Sequence, residues 1–301
     1  MSRPLAAALA KLLEGEGGQA LPYPASGFTS SQRQALDDFA RMTGAVALRL
    51  QGRGSVYQVL NAELLTHHLR TLQPKHADAI DTSLPRRAAN IAQTRNSKGR
   101  AHGHELHYLL LKSISNGVVW QNQSRNGAQE FDLTQTTRVA GAGVLAIAEV
   151  DEWCSDQSLW LVENQALFDR LDWLPAGAAG SVVYYGGQMP GRLLNWLARR
   201  ARATEVILFP DYDGVGLLNY ARLLEVCCSP CRFWLMPGWR VLLETYGNNA
   251  VWQNTRGDFE GACERLRVAK VSPGVMELCA AMSKLGLALE HEAVWLAPPA
   301  T

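Results

Sequence analysis

The chain has 301 residues, is 47% hydrophobic and 19% charged, and carries a formal net charge of +1. This is the composition of an ordinary globular protein, long enough for two domains and without a global basic signature. No run approaches the ~18–20 apolar residues that span a bilayer, and Met1-Ser2-Arg3-Pro4-Leu5 opens a short Ala/Leu helix with no signal-peptide h-region. A cytoplasmic protein without a membrane partner is therefore expected.

The charge divides unevenly. Residues 1–150 hold 16 Lys and Arg against 11 Asp and Glu, whereas residues 151–301 hold 13 against 17. A basic half beside an acidic, metal-suited half fits a DNA-positioning region joined to a catalytic one.

In chain order, residues 4–14 read as a helix with Pro4 in its first turn. A Gly/Pro loop follows. Thr29 or Ser30 caps a second helix, Ser31 to Met42, with Ala35, Leu36, Phe39 and Ala40 along one face. Gly44 stops it. The runs Ala45 to Leu50 and Ser55 to Leu60, separated by Gly52-Arg53-Gly54, read as strand, tight turn, strand. A helix from Ala62 to Leu72 comes next, with His67 and His68 on its solvated side. Helices followed by a two-stranded wing with Arg53 at its tip describe a winged-helix-like region, a module that docks on DNA.

The most basic stretch is 83–104. Arg86, Arg87, Arg95, Lys98 and Arg100 interleave with Asn90, Gln93, Thr94, Asn96 and Ser97, with His102 and His104 beside them. Cations among polar donors suit contacts to the phosphates of double-stranded DNA. Leu106 to Ile114 reads as a helix in which Leu109-Leu110-Leu111 draw Tyr108 into the core. Val118-Val119-Trp120 and Glu130-Phe131-Asp132-Leu133 around Asn126-Gly127 would form a second wing, and hence a second winged helix.

From 159 the pattern alternates. Strands are expected at 159–163, 181–185, 205–209 and 232–236, with helices at about 164–171, 190–202 and 215–227. Such alternation implies a mostly parallel sheet with helices on both faces, whose sites lie at the carboxyl ends of the strands. Glu163, Gly186-Gly187, Asp211 and Pro237-Gly238 all fall at those ends. After 258 the chain reads as mostly helical.

Val206-Ile207-Leu208-Phe209-Pro210-Asp211-Tyr212-Asp213-Gly214 carries the most chemistry. Acids two apart at a strand end can converge on one face. Held that close, they repel unless a cation sits between them, and Mg²⁺ or Mn²⁺ suits an all-oxygen site that also binds phosphate. Glu163 ends the earlier run Leu159-Trp160-Leu161-Val162. It is a third ligand or the general acid/base, with a pKa raised by its acidic neighbours. Gly186 and Gly187 would let backbone approach a phosphate.

Glu at one strand end and Asp-x-Asp-x-x-Gly at another resemble the signature of the Toprim domain of topoisomerases, bacterial primases and several nucleases. Asp211-Tyr212-Asp213-Gly214-Val215-Gly216-Leu217 is most similar to the branch holding the topoisomerase VI A subunit and the JetD group, the nuclease subunits of Wadjet plasmid-defence systems. Tyr184-Tyr185-Gly186-Gly187-Gln188-Met189-Pro190 resembles that branch's Gly-rich turn. Leu289-Glu290-His291-Glu292 resembles the late Leu-Glu-x-Glu motif of the JetD group. Together these cover roughly residues 155–295.

An α/β chain in three parts is expected: the residue pattern gives a winged-helix-like domain at 1–82 and a basic helical segment with a second winged helix at 83–150, and for 151–301 the resemblance implies a Toprim catalytic domain with a C-terminal helical extension. It implies Mg²⁺- or Mn²⁺-dependent cleavage of DNA in bacterial defence against plasmids or phage. Glu163, Asp211 and Asp213 would be catalytic and metal-binding, and Glu290 or Glu292 would complete a second metal site, with Glu290 favoured. The implied partner is an SMC–kleisin ATPase complex, and a second copy of the chain is a further candidate. No Walker A motif occurs, so ATP hydrolysis would come from the partner. A tyrosine transesterase like the topoisomerase VI A subunit, and a non-catalytic DNA-binding Toprim subunit, are the alternatives.

Six cysteines remain: Cys154, Cys227, Cys228, Cys231, Cys263 and Cys279. Cys228 and Cys231 have C-x-x-C spacing but no second pair to complete a zinc site, so all six are expected to be buried thiols. His104 and His107 share a helical spacing without an acidic partner. The nine Trp residues read as core or interface.

Overall fold

The computed structural model describes residues 3–14, 22–52, 54–73, 83–94, 96–98, 106–124, 127–148 and 150–297. The chain forms two compact units, Met1–His104 and Glu105–Thr301.

In the first unit, helix α1 (Arg3–Leu13) is followed by a short strand β1 (Tyr23–Pro24) and helix α2 (Ser30–Thr43). Thr29 caps α2 in a reciprocal capping box with Gln32, and Gly44 ends it at a left-handed φ of 65°. Strands β2 (Val46–Gln51) and β3 (Gly54–Val59) pair antiparallel, as the Gly-flanked turn predicts. Strand β1, unannounced by any periodic run, adds to β3 and gives the sheet order β1-β3-β2. Helices α3 (Ala62–Leu72) and α4 (Arg86–Thr94) complete the unit. Its core holds Leu5, Leu9, Leu12, Leu36, Phe39, Tyr57 and Leu65. His67 is exposed, whereas His68 is half-buried with its ring edge against Phe39.

The second unit is built on a six-stranded mixed sheet of order β11-β10-β8-β9-β4-β7. The four expected strands, β8 (Leu159–Val162), β9 (Ser181–Tyr184), β10 (Val206–Phe209) and β11 (Cys231–Phe233), run parallel. Strand β8 lies between β9 and β10, so the chain leaves it first toward one edge and later toward the other. The space between the carboxyl ends of β8 and β10 is thus a topological switch point, where α/β sheets form their crevices.

The expectation of a helix at Leu106 to Ile114 is corrected. Residues His107–Ser113 form strand β4, which pairs antiparallel with β9 and with β7 (Gly143–Ile147). A short apolar run does not distinguish strand from buried helix by periodicity, and here the sheet decides. Alternation turns Leu109 and Leu111 into the core and leaves Tyr108 64% exposed, so Tyr108 is not a core residue. The sheet therefore takes in residues that the sequence reading set before the catalytic domain. Strands β5 (Val119–Ser124) and β6 (Gly127–Asp132) form the expected hairpin as a separate two-stranded sheet.

Helices α5 (Leu133–Ala140), α6 (Gln165–Asp169), α7 (Gly191–Leu197) and α8 (Gly214–Val226) connect the strands. Helices α9 (Trp239–Tyr246), α10 (Asn249–Val268) and α11 (Pro273–Leu285) follow, and a 3₁₀ turn, His291–Leu296, closes the described chain. Trp160, Trp173, Phe209 and Trp234 stack in the core. Arg202 is fully buried, spread over the Trp196 ring and 3.2 Å from Asp151. The cysteines are free, and only Cys279 is fully buried while Cys228 is exposed, which corrects the expectation of six buried thiols. Cys228 follows the end of α8, where solvent reaches it.

Candidate metal centre

Each functional side chain stands where a regular element ends. Glu163 is the first residue beyond β8 and Asp211 the second beyond β10. Asp213 is the N-cap of α8, its carboxylate accepting the Gly216 N–H at 2.7 Å. The intervening Tyr212 is fully buried, and Met236 N–H donates to its hydroxyl at 2.6 Å. The Asp-x-Asp loop thus has its middle residue anchored in the core while its two acids flank it. Gly214 follows because α8 and α10 touch there: a Cβ on Gly214 would stand 1.9 Å from the Thr255 carbonyl oxygen. The Thr255 hydroxyl in turn accepts the Gly214 N–H at 3.2 Å.

The late acidic motif reaches the site by backbone pairing. Tyr212 N–H donates to the Leu289 carbonyl at 2.8 Å, and Leu289 N–H donates back at 3.0 Å. This bridge sets down the residues after Leu289 beside Asp211. His291 is the one that meets it. Its backbone N–H donates to Asp211 Oδ1 at 2.8 Å, and its ring Nδ1 lies 2.9 Å from the same oxygen. The ring is fully buried, and neither nitrogen makes a well-directed hydrogen bond. Nε2 lies 3.8 Å from Glu292 Oε2.

Donor atoms of Asp211, His291 and Glu292 fall within 4.8 Å of one another. Glu292 is oriented by the Asn164 amide, which donates to Oε1, while the Asn164 carbonyl oxygen caps α6. Glu290, the glutamate favoured from the motif, is exposed at the start of the 3₁₀ turn and is not in this cluster. Residues two apart do not face the same way on a tight helix.

The acids titrate as a crowded group. Burial, then the charges of Asp211 and Asp213, push the Glu163 carboxyl up to about 7, against a smaller opposing pull from His291. Burial also raises Asp213 to about 6, offset in part by the Gly216 N–H. Asp211 goes the other way. Burial acts to raise it, but its contacts with His291 together hold it below the usual range. Burial disfavours the His291 cation, yet Asp211, Glu292 and Glu163 outweigh it and raise the pKa. The acids around His291 thus favour its protonated form, and burial opposes it.

A second network holds the Gly-rich turn. Tyr185, buried after β9, donates its hydroxyl to Glu163 Oε2 at 3.3 Å. Burial and the nearby carboxylates keep that phenol protonated far above its ordinary pKa. Gly186 and Gly187 adopt left-handed φ of 65° and 62°, which side chains adopt at a cost. The turn is tied to α8 by Met189 N–H donating to Asn219 at 3.2 Å.

Of the acids singled out from sequence, Asp211 and Glu292 are brought together, and Glu163 and Asp213 lie close enough to Asp211 for their charges to interact. His291, Tyr185, Asn164 and Asn219 were missed. The signal for His291 is its place between the two glutamates of Leu289-Glu290-His291-Glu292. Arg86, Arg87 and Lys98 are exposed in the first unit. Arg53, Arg95, Arg100, His102, His104 and Asn126 lie outside the described residues. No protein-family model matches the chain, and no curated protein is similar to it.

Proposed function

We propose that this chain is a metal-dependent DNA endonuclease, with Glu163, Asp211 and Asp213 at its centre and Glu292 joining them. The observation that carries the reading is the convergence of these acids, from three distant segments, at the switch point between β8 and β10. Phosphodiester hydrolysis needs positive charge on the phosphoryl oxygens, an activated water and a stabilised leaving oxygen. A bound Mg²⁺ or Mn²⁺ would supply that charge and lower the pKa of water.

The chain's own residues have separate tasks. Asp211, Asp213 and Glu292 would hold the ion. Glu163, whose carboxyl is pushed up to about 7 before an ion binds, would serve as the general acid/base. Tyr185 holds its Oε2 in place. The turn at Gly186-Gly187 offers backbone at the neighbouring strand end.

The fold supports the reading at the level of an α/β chain with a parallel core and acids at strand ends. The Toprim identity is carried by the motif resemblances, as is a role in defence with an SMC–kleisin ATPase complex, and the winged-helix reading by the helix and wing pattern of the N-terminal sequence. Arg86, Arg87 and Lys98 are the exposed cations proposed to contact DNA phosphates.

The test is cleavage of circular double-stranded DNA by the purified chain with Mn²⁺ or Mg²⁺. Nicking or linearisation that disappears in Asp211→Asn supports the assignment. Equal cleavage by wild type and variant overturns it.

A further inference from the structure

His291 does not belong to an all-carboxylate centre. It is fully buried, and among the described residues both its ring nitrogens lack a well-directed hydrogen bond. A buried imidazole in that condition loses hydrogen bonds it would keep in water, so something must compensate. Both nitrogens point at acids: Nδ1 lies 2.9 Å from Asp211 Oδ1 and Nε2 3.8 Å from Glu292 Oε2.

The two nitrogens have different surroundings. On the Nδ1 side, Asp211 Oδ1 is already anchored by the His291 backbone N–H at 2.8 Å. Nδ1 lies 2.9 Å from that oxygen without a well-directed hydrogen bond to it, so a nitrogen and an oxygen donor stand side by side there. On the Nε2 side stands Glu292, itself held by Asn164. Adjacent ligands of an octahedral ion with bonds of ~2.1 Å lie about 3 Å apart. The 3.8 Å separation of Nε2 and Glu292 Oε2 is therefore within a small side-chain adjustment of a shared ion. Oδ2 of Asp211 accepts no hydrogen bond among the described residues and is the oxygen it has to offer.

We propose that a ring nitrogen of His291 is a metal ligand, with Asp211 and Glu292, in a mixed nitrogen–oxygen centre that selects a transition-series divalent ion over Mg²⁺. The physical reason is donor chemistry. Mg²⁺ prefers hard oxygen ligands and keeps its waters, whereas Mn²⁺, Fe²⁺, Co²⁺ and Zn²⁺ accept imidazole nitrogen readily. The proposal rests on the metal-binding part of the nuclease reading but does not need DNA cleavage.

The experiment uses the full, metal-stripped chain without DNA. Mn²⁺ is titrated while the free ion is followed by EPR, and Mg²⁺ is then added as competitor. Wild type is expected to bind Mn²⁺ about tenfold or more tightly than Mg²⁺. His291→Gln should bring the two affinities to within about threefold, and Glu290→Gln should change neither. Pulsed EPR of the Mn²⁺-loaded wild type should show coupling to a directly bound ¹⁴N nucleus, a readout that needs no variant to fold.

Bound Mn²⁺ without nitrogen coupling would overturn the proposal, as would absence of any divalent-ion binding. Tighter Mn²⁺ binding in His291→Gln would also overturn it and identify the histidine as an internal counter-ion displaced by metal. Nitrogen-coupled Mn²⁺ in a chain that leaves DNA intact would uphold the ligand and overturn the nuclease reading. Cleavage with Mn²⁺ but no nitrogen coupling would do the reverse.

Discussion

Asp211 grips His291 through one oxygen: Oδ1 accepts its backbone N–H at 2.8 Å and lies 2.9 Å from its ring Nδ1. Asp211 is therefore a structural residue as well as a candidate ligand. Simple relief of repulsion does not describe its removal. Asp211→Ala strands a buried histidine and removes an acceptor from a backbone N–H. A loss of about 1–3 kcal/mol is expected, read as a lower midpoint in urea unfolding of the metal-free chain. Asp211→Asn keeps an acceptor for the N–H and should lose less, and on the proposed function both variants should lose DNA cleavage. A more stable Asp211→Ala chain would show that crowding of the carboxylates dominates.

Asp213 separates two roles in the same way. As N-cap of α8 it is worth about 1 kcal/mol, lost in Asp213→Ala. Asn caps a helix about as well as Asp, so Asp213→Asn should keep the thermal midpoint near wild type. Both variants should nevertheless lose cleavage, because the charge is gone in each. Cleavage retained by Asp213→Asn would leave the residue as a cap alone.

The pH dependence of stability has a definite sign. Glu163 and Asp213 are raised in the folded chain to about 7 and about 6. The folded state therefore binds more protons than the unfolded state between about pH 4 and 7, and stability falls as pH rises through that window. His291, also raised, adds loss in the same direction above its ordinary pKa. Asp211, lowered, acts oppositely and only at more acidic pH. The melting temperature of the metal-stripped chain should fall from pH 5 to pH 8, and Glu163→Gln should flatten part of that fall. Mn²⁺ should reverse it. A midpoint that rises across this range would contradict the charge arrangement of the site.

Gly214 marks where α8 meets α10. A Cβ there would stand 1.9 Å from the Thr255 carbonyl oxygen and 2.7 Å from the Phe259 nitrogen. Both are backbone atoms, so the helices must separate. Gly214→Ala should destabilise the chain by about 1–3 kcal/mol or more and reduce metal affinity, because Asp213 moves with the helix. Differential scanning fluorimetry with and without Mn²⁺ measures both effects.

Arg86, Arg87 and Lys98 test the DNA-binding reading independently. Replacing all three with Gln should weaken binding to duplex DNA and reduce the log–log salt slope by up to about 0.9 per lost phosphate contact. Fluorescence anisotropy from 50 to 200 mM salt would read it. An unchanged slope would leave these residues as a solvated surface.

Much of the architecture was legible because it is local. The runs 159–163, 181–185, 205–209 and 232–236 announced the parallel strands, and Thr29 or Ser30 as a cap announced the start of α2. Strand β4 was not legible. Leu109-Leu110-Leu111 suits a helix as well as a strand, and only pairing to β9 and β7 decides between them. Tyr108 accordingly points to solvent.

By itself the sequence determined which chemistry was on offer: acids at strand ends, spaced to repel one another unless a cation intervenes. It could not say which late residue would reach them. That depended on the Tyr212–Leu289 backbone bridge, a contact across 77 positions that buries His291 against Asp211, brings in Glu292 and leaves Glu290 in solvent. The same is true of Arg202, which stands among basic neighbours in the sequence but is wholly enclosed beside Asp151. Residue type and spacing set the donors, because they are properties of short segments. Burial and partnership were decided by the tertiary structure, because desolvation and long-range contact exist only once distant segments have packed together.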